Sequence, residues 1–427
     1  MRRSLAFLVG VALAVAGVSS APTASVPEPA STQSVAPARF RACVARADRG
    51  STPVLAAASA VPGPMAVSVT GADELVPAAD GVIGSAGGGV VPLADSGLVG
   101  FGTVLAELPG DVVETSVLSR GDRGKATHRC PGRPEPVTAV SGVSTLDGER
   151  VTLVLGNPFA ADAVVAVTGA SEVGEDSPSE LASVLVPARS TVTAELGRLL
   201  PLREHLSLVL TTERGAVVGL VAQAGDGDVA TAAFTPPAGD WWITLPDVGQ
   251  SSATLTFVSA APTEVEYQVD VYAGGVLETS VETGRVAPGR QVVVDLSEVA
   301  VPAGIRVTAT GPILAGLSLT GEHLRASSPG VNAPGDRWLV AGPGVGGPSI
   351  LWVLNPGPDP LDVVVQPLTS GAQARVEEAA PSSVTPIPVG SGSGGGYLVE
   401  AVGDVVVMWT FGGEGPTALG AGVALDE

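Results

Sequence analysis

The chain has 427 residues and a formal net charge of −21, and it is rich in glycine (56 residues) and proline (36 residues). Lys125 is its only lysine, so nearly all of its positive charge comes from arginine. Proteins that bind phosphate-rich partners need a basic surface, and the acidic balance therefore argues against nucleic acid and anionic membrane surfaces as partners.

The first 21 residues have the pattern of a secretory signal peptide. Arg2 and Arg3 precede an apolar run from Leu5 to about Val18, and small residues follow. A membrane-spanning helix needs about 20 apolar residues, so the run predicts a signal peptide at 1–21, with an uncleaved N-terminal anchor as the alternative. Residues 22–38 consist mainly of Ala, Pro, Ser, Thr and Val, which is typical of a flexible spacer. We predict no membrane span in the mature chain.

The chain contains two cysteines, Cys43 and Cys130. An even pair in an exported chain predicts one disulfide, which would join the two ends of the first module. A metal site would need more ligands nearby, and a reactive thiol would need a neighbouring base. His128 is close to Cys130 in sequence, but that spacing is commonplace.

The stretch from Trp241 to Glu322 has the clearest strand pattern. Within it, apolar and polar residues alternate strictly from Glu264 to Val271. This period predicts a strand with a buried face and a solvent face, with Glu264, Glu266 and Asp270 on the latter. About seven such segments, separated by Gly and Pro turn signals, match the size of an immunoglobulin-like β-sandwich.

Weaker copies of this unit lie before and after it. An Asn-Pro pair follows an apolar strand at Asn157 and again at Asn355, whereas the third copy has Ala260-Ala261-Pro262 there. We predict four tandem sandwich modules at 39–130, 131–230, 231–325 and 326–427. The alternative is a β-propeller built from the same repeats, in which the first and last repeats must pack together.

The order of these segments resembles that of an uncharacterised family of secreted actinobacterial proteins, known as a domain of unknown function. The resemblance covers about Cys130 to Phe411 and is clearest at Cys130-Pro131-Gly132, Leu155-Gly156-Asn157-Pro158 and Leu354-Asn355-Pro356-Gly357. It implies an exported all-β protein of the cell envelope, with no established activity and no catalytic residues to carry over.

Three of the tryptophans, Trp241, Trp242 and Trp338, stand where modules begin. Packing in the core or between modules is the ordinary interpretation of such residues. A platform on which sugar rings stack is the alternative, and it requires exposed, coplanar rings.

No motif in the sequence predicts catalysis, a cofactor or a metal. The glycine-rich segment 342–347 matches the dinucleotide-binding pattern, but a strand follows it where that motif requires a helix. Gly225-Asp226-Gly227-Asp228 would bind calcium only with further oxygen ligands. His128, His205 and His323 lie in three different modules.

We therefore predict an exported structural or interaction protein of the cell envelope without catalytic activity, whose partner is an envelope protein or a wall polysaccharide. A carbohydrate-binding protein that uses Trp241, Trp242 or Trp338 is the first alternative. A hydrolase is the second, and it requires a cleft in which carboxylates or a histidine converge.

Overall fold

The computed structural model describes residues 40–425 except 48–51, 60, 71–74, 85–86, 94–95, 97, 99, 109–112, 122–123, 133, 226–228, 323, 343–346, 391–394 and 413–417. The predicted signal peptide and spacer lie outside the described residues. Ala38–Glu427 form one compact unit.

The described residues form strands almost throughout. Module 1 contains β1 Phe40–Ala47, β2 Thr52–Ser59, β3 Gly63–Thr70, β4 Leu75–Ile83, β5 Gly88–Pro92, β6 Gly100–Glu107, β7 Val113–Gly121 and β8 Gly124–Arg129. Module 2 contains β9 Val137–Val143, β10 Arg150–Asn157, β11 Ala163–Ser171, β12 Gly174–Asp176, β13 Val184–Val186, β14 Ser190–Glu195, a short helix α1 Leu196–Leu199, β15 Leu206–Arg214, β16 Val218–Ala224 and β17 Val229–Ala233.

The second half of the chain repeats this plan with longer strands. Module 3 contains β18 Ala238–Leu245, β19 Ser252–Ser259, β20 Val265–Ala273, β21 Val276–Val286, β22 Gln291–Asp295, β23 Ala303–Gly321 and β24 Leu324–Pro329. Module 4 contains β25 Gly335–Ala341, β26 Ser349–Asn355, β27 Leu361–Pro367, β28 Arg375–Ala379, β29 Ser383–Val389, β30 Gly396–Phe411, β31 Ala418–Ala421 and β32 Val423–Ala424.

Modules 1 and 2 each contain two antiparallel sheets, and modules 3 and 4 each form one large sheet whose long strand, β23 or β30, joins two halves that we also describe as sheets. We call the sheet that contains β8, β17, β24 or β31 the central sheet of its module. In chain order the four central sheets are β5-β2-β7-β8, β14-β10-β16-β17, β22-β19-β23-β24 and β29-β26-β30-β31. We call the other the flanking sheet; its main strands are β1-β6-β3-β4, β9-β15-β11-β12, β18-β23-β20-β21 and β25-β30-β27-β28. The long strands β23 and β30 run through both sheets of their modules.

The eight sheets pack in a closed ring. The flanking sheet of each module lies against the central sheet of the next, and that of module 4 lies against the central sheet of module 1. The last strands of the central sheets also follow one another around the ring, since β8 neighbours β17, β17 neighbours β24, β24 neighbours β31 and β31 neighbours β8. We call each contact between successive modules a seam, and the contact between modules 4 and 1 the closing seam.

The ring explains why apolar residues occupy both faces of many strands. One face packs inside the module, as in the core of module 1 around Leu55, Met65 and Val104. The other packs across a seam, as where Val44 meets Val218. Sheets buried on both faces carry near-continuous apolar runs in place of a clean alternation.

The predicted all-β fold is confirmed. The finer prediction of immunoglobulin-like sandwiches is not confirmed, and closure of the ring is the feature that distinguishes the propeller alternative from a string of sandwiches. Strands β17 and β24 also extend past residues 230 and 325, where modules 2 and 3 were predicted to end.

One polar position recurs at the end of the same strand in every module. Its four residues are Ser59, Asn157, Ser259 and Asn355, whose side-chain oxygens accept the backbone N–H two residues further on at 2.9 to 3.3 Å. Each asparagine also donates from Nδ2 to two carbonyl oxygens. The serine of module 3 therefore makes the same turn contact as an asparagine, although its Asn-Pro pair is missing.

Candidate functional site

The register of the sheets identifies equivalent positions in the four modules, and one pair of them differs in module 3. The directly opposed residues are Ala42 and Leu105, Ala139 and Val209, Trp242 and Arg306, and Leu339 and Leu398. Three modules place two apolar side chains there, which serves seam packing. Module 3 places an indole beside a guanidinium, so this pair is a candidate for a separate role.

The Arg306 guanidinium is fixed by two neighbours. Its Nε and Nη2 donate to the two carboxylate oxygens of Asp240, at 3.1 and 2.8 Å. The guanidinium carbon also lies 4.6 Å from the centre of the Trp242 ring, within the range of a cation–π contact. The hydrogen bonds to Asp240 raise the pKa of Arg306, so that it stays charged. We call Asp240, Trp242, Arg306, Asp270 and Tyr272 the Arg306 cluster.

Asp270 and Tyr272 complete the cluster from the neighbouring strand β20. The Tyr272 ring lies 5.9 Å from that of Trp242, and burial raises the pKa of the phenol. Buried Asp270 accepts hydrogen bonds of 2.8 Å from Gln268 Nε2 and from the backbone N–H of Ser280. Residues 279–281 bulge out opposite Asp270, and Ser280 adopts a φ of +55° there. Bulges of this kind commonly redirect side chains near functional sites.

The prediction that Asp270 lies on a solvent face is therefore wrong. Glu266 on the same strand and Glu264 just before it are exposed, as predicted, and both pair with Arg285. Asp270 differs from them because its carboxylate accepts the Ser280 N–H of the bulge opposite it, on a strand that also neighbours β29 of module 4.

A second departure from the repeat is a buried acid in module 1. Opposite Ala58, Gly156, Val258 and Leu354 stand Glu114, Val218, Leu314 and Val406. All four are buried, and three of them are aliphatic. On the same face of β7 as Glu114, Leu118 lies against module 4, so the acid belongs to the closing seam.

Among the described residues, only one of the two carboxylate oxygens of buried Glu114 has a hydrogen-bond partner. Its Oε2 accepts a hydrogen bond of 3.0 Å from Arg129 Nε, whereas Oε1 has no hydrogen-bond partner within the described part of the chain. Burial raises the pKa of the carboxyl to about 7, against the opposing charges of Arg129 and Arg41. Sequence reasoning missed this residue, because its equivalence to Val218 and Val406 follows from the register of the sheets.

His128 is a buried polar residue of the seam between modules 1 and 2. Its Nε2 lies 2.8 Å from the Val44 carbonyl oxygen and therefore donates to it, which leaves Nδ1 to accept from the Thr231 hydroxyl at 3.2 Å. Burial lowers the pKa of the imidazole to about 4. The ring is neutral near pH 7 and joins the two modules.

The stacking alternative requires exposed rings, and all three tryptophans are buried, as the packing interpretation expects. Their exposed fractions are 0% for Trp241, 5% for Trp242 and 0% for Trp338. The indole N–H groups of Trp241 and Trp338 each donate to the carbonyl three residues earlier and to one on the opposite strand, at 2.8 to 3.2 Å. These rings anchor equivalent positions of modules 3 and 4 and leave no face for a sugar.

The structure contains the predicted disulfide between Cys43 and Cys130, whose Cα atoms are 4.8 Å apart. Among the described residues, no cluster of three or more His, Cys, Asp or Glu side chains is arranged to hold a metal ion. No helix within the described ranges is long and apolar enough to cross a membrane.

These features define an all-β repeat protein whose modules are joined by apolar seams that contain a few buried polar contacts. The family described as "Family of unknown function (DUF5719)" matches residues 106–385, and the chain belongs to this family. No curated protein sequence matches the chain.

Two solved structures show distant likeness to the chain. One is a tetra-tandem repeat in the extending region of a large adhesion protein, with 13% identity over 91% of this chain and 99% of that one and a TM-score of 0.12. The other is an α-L-rhamnosidase of Streptomyces avermitilis complexed with L-rhamnose, with 9% identity over 81% of this chain and 53% of that one and a TM-score of 0.12. With TM-scores this low, neither likeness bears on the function of the chain.

Proposed function

We propose that this protein is an exported, non-catalytic interaction protein of the cell envelope, with the ring of modules as its scaffold. The observation that carries the proposal is that the charged groups of the Arg306 cluster already have hydrogen-bond partners within the protein. Both carboxylate oxygens of Asp240 accept hydrogen bonds from the Arg306 guanidinium, and the Asp270 carboxylate accepts hydrogen bonds from Gln268 and Ser280. A catalytic group needs a reactive atom free to meet substrate, whereas groups paired in this way hold strands and modules in place.

Export is supported by two independent features. Disulfides such as Cys43–Cys130 persist in oxidising compartments, and the first 21 residues have the composition of a secretory signal. The use of arginine in place of lysine fits the GC-rich genome of an actinobacterium, the source that the sequence resemblance implies. Because Trp241, Trp242 and Trp338 are covered, we favour a protein partner over a wall polysaccharide.

The test uses oxidised protein spanning residues 40–427. It is incubated with purified wall polysaccharide, with peptidoglycan and with envelope proteins from an actinobacterium, and retention and release of fragments are both measured. We expect saturable retention by the protein fraction and no release of reducing sugars or peptides. Turnover of any of these materials by the wild-type protein would contradict the proposal.

A double variant separates a structural role of the cluster from a catalytic one. Trp242→Ala with Arg306→Val installs the residues that module 2 has at these positions. We expect it to retain partner binding after correct folding is verified by circular dichroism. If the wild-type protein shows turnover and this variant does not, the cluster would belong to the active site of a hydrolase instead.

A further inference from the structure

The flanking sheets end in edge strands of different length and exposure. Strand β21 has 11 residues, against 9 in β4, 5 in β28 and 3 in β12. Among the described strands it pairs with β20 alone, through a hairpin in which Gly274 and Gly275 have φ values of +59° and +82°. Two successive residues with positive φ are what a tight hairpin turn requires. The far edge of β21 is thus presented to solvent.

Strand β21 carries aliphatic side chains that the described chain leaves roughly half exposed. The exposed fractions are 58% for Val276, 41% for Leu277 and 49% for Val281. Edge strands with exposed aliphatic residues invite pairing with another chain, and natural proteins usually shorten or charge them. A long aliphatic edge on a folded scaffold is therefore a candidate for strand addition.

The negative charge around this edge indicates what kind of partner would bind there. Glu278 and Glu282 are exposed on one face of β21, where Glu282 accepts a hydrogen bond of 3.4 Å from the Tyr267 hydroxyl. Glu264 and Glu266 are exposed near the other end of the strand, with Glu266 on the opposite face. The adjacent Arg285 is already paired with both Glu264 and Glu266, at 3.5 and 2.8 Å. The surface is acidic overall, and complementary charge favours a basic partner.

We propose that β21 is the docking edge for an extended basic segment of a partner protein, which pairs with it as an added strand. The inference rests on the proposed interaction function and names its surface. Lysine or arginine of the segment meets Glu278 and Glu282 on one face of the sheet, while its β-branched residues cover Leu277 on the other face. A second copy of the chain fits less well, because pairing two β21 edges brings like charges together.

The bulge at Ser280 restricts which segments can bind. Asp270 turns the Ser280 N–H inward, which interrupts the edge between Glu278 and Glu282. Bulged edges resist indiscriminate pairing, so the carboxylates contribute much of the selectivity.

The experiment uses a labelled ten-residue peptide in which Lys alternates with Val and Thr, and a control peptide with Glu in place of Lys. Binding to protein 40–427 is followed by fluorescence anisotropy at low and high salt, and the site is mapped by amide hydrogen exchange. We expect saturable binding of the basic peptide, at least about 10-fold weaker binding of the acidic one, and protection within Val276–Val286.

Charge reversal on two matched edges supplies the control. Glu278→Lys with Glu282→Lys is expected to weaken binding of the basic peptide by about 10-fold or more. Glu377→Lys with Glu378→Lys makes the same change on the edge strand β28 and is expected to alter binding by less than about 2-fold. Glu278 and Glu282 are exposed, so the fold should survive, and circular dichroism verifies this.

Unchanged binding by the β21 variant, protection elsewhere, or a dimer formed through β21 would each overturn the inference. If the β21 variant still binds envelope proteins as the wild type does, this inference fails and the proposed function stands. If the wild type binds no envelope protein at all, the proposed function fails as well.

Discussion

Asn157 shows how a single buried side chain can end a strand and begin a turn. Its Oδ1 accepts the Phe159 N–H, and its Nδ2 donates to the carbonyls of Ala161 and Val186. Asn157→Ala leaves these backbone groups without their partner, and we expect a loss of about 2 to 4 kcal/mol in the free energy of unfolding.

The repeat itself provides the control for this change. Asn157→Ser installs the residue of modules 1 and 3, which keeps the turn contact, so we expect it to cost clearly less than alanine. Urea denaturation of both variants measures the difference. Equal losses would show that the turn contact contributes nothing.

Glu114 and His128 give the stability of the protein opposite dependences on pH. The pKa of buried Glu114 is raised to about 7, so the stability it contributes is present below about pH 4.5 and is lost as the pH rises through 7. The pKa of buried His128 is lowered to about 4, so its contribution is present above about pH 6.5 and is lost as the pH falls through 4. Each effect is on the order of 3 kcal/mol, and the two oppose each other between pH 4.5 and 6.5.

Variants separate the two contributions. Relative to wild type, Glu114→Gln should gain stability as the pH rises from about 4.5 to 7, because it removes the penalty of ionising the buried acid. His128→Gln should gain stability relative to wild type as the pH falls from about 6.5 to 4. Thermal melts from pH 4 to 8 test both, and difference curves that do not change with pH would contradict the assignment.

Among the elements, the closing seam depends on close approach of backbones. Gly395 has a φ of +110°, and a Cβ there would lie 2.6 Å from the Gly89 carbonyl oxygen of module 1. Gly395→Ala should cost more than the penalty of the backbone conformation alone, because a carbonyl in a paired strand cannot move away as a flexible side chain can.

Gly371→Ala is the matched control for that prediction. Gly371 has a φ of +81°, but a Cβ there would meet no atom within 4 Å. We expect it to cost about 1 to 2 kcal/mol from strain alone, and Gly395→Ala to exceed it by at least about 1 kcal/mol in urea denaturation. Similar costs for both variants would contradict a close approach of the Gly395 and Gly89 backbones at the closing seam.

The sequence predicts where strands lie better than it predicts what packs against each face of a strand. Alternation from Glu264 to Val271 correctly indicates a strand, and the even cysteine count indicates the Cys43–Cys130 disulfide. The same pattern cannot tell whether water or another sheet covers the polar face, so Asp270 was wrongly placed in solvent. The burial of Trp242 agrees with the packing interpretation and not with the stacking alternative.

At the scale of the whole molecule, the sequence left open how the modules meet. Closure depends on contacts such as Leu118 with Gly342 and Ala58 with Gly396, which join residues more than 200 positions apart. No local period encodes such a contact. In the sequence, the only sign of these contacts is that the central strands are apolar on both faces. The same pattern is expected of a core strand in an isolated sandwich, so it does not predict the ring.

The ring predicts that the modules do not fold separately. Removing residues 40–130 would uncover Val154, Val218 and Leu220 on the central sheet of module 2, and Leu339 with Leu398 on the flanking sheet of module 4. Exposed apolar patches of this size cost stability and promote aggregation. We therefore expect the fragment 131–427 to bind a hydrophobic dye and to lose its cooperative thermal transition, which circular dichroism measures.

A string of independent sandwiches makes the opposite prediction for the same fragment. Three complete modules would remain, each with its own core, and the fragment would melt cooperatively near the temperature of the longer protein. Protein 40–427 is the reference, because it lacks only the segment before β1 and keeps every seam. A cooperative melt of 131–427 within a few degrees of that reference would show that the closing seam adds little stability. Loss of the transition would show that burial of both faces of each sheet, around the whole ring, holds this fold together.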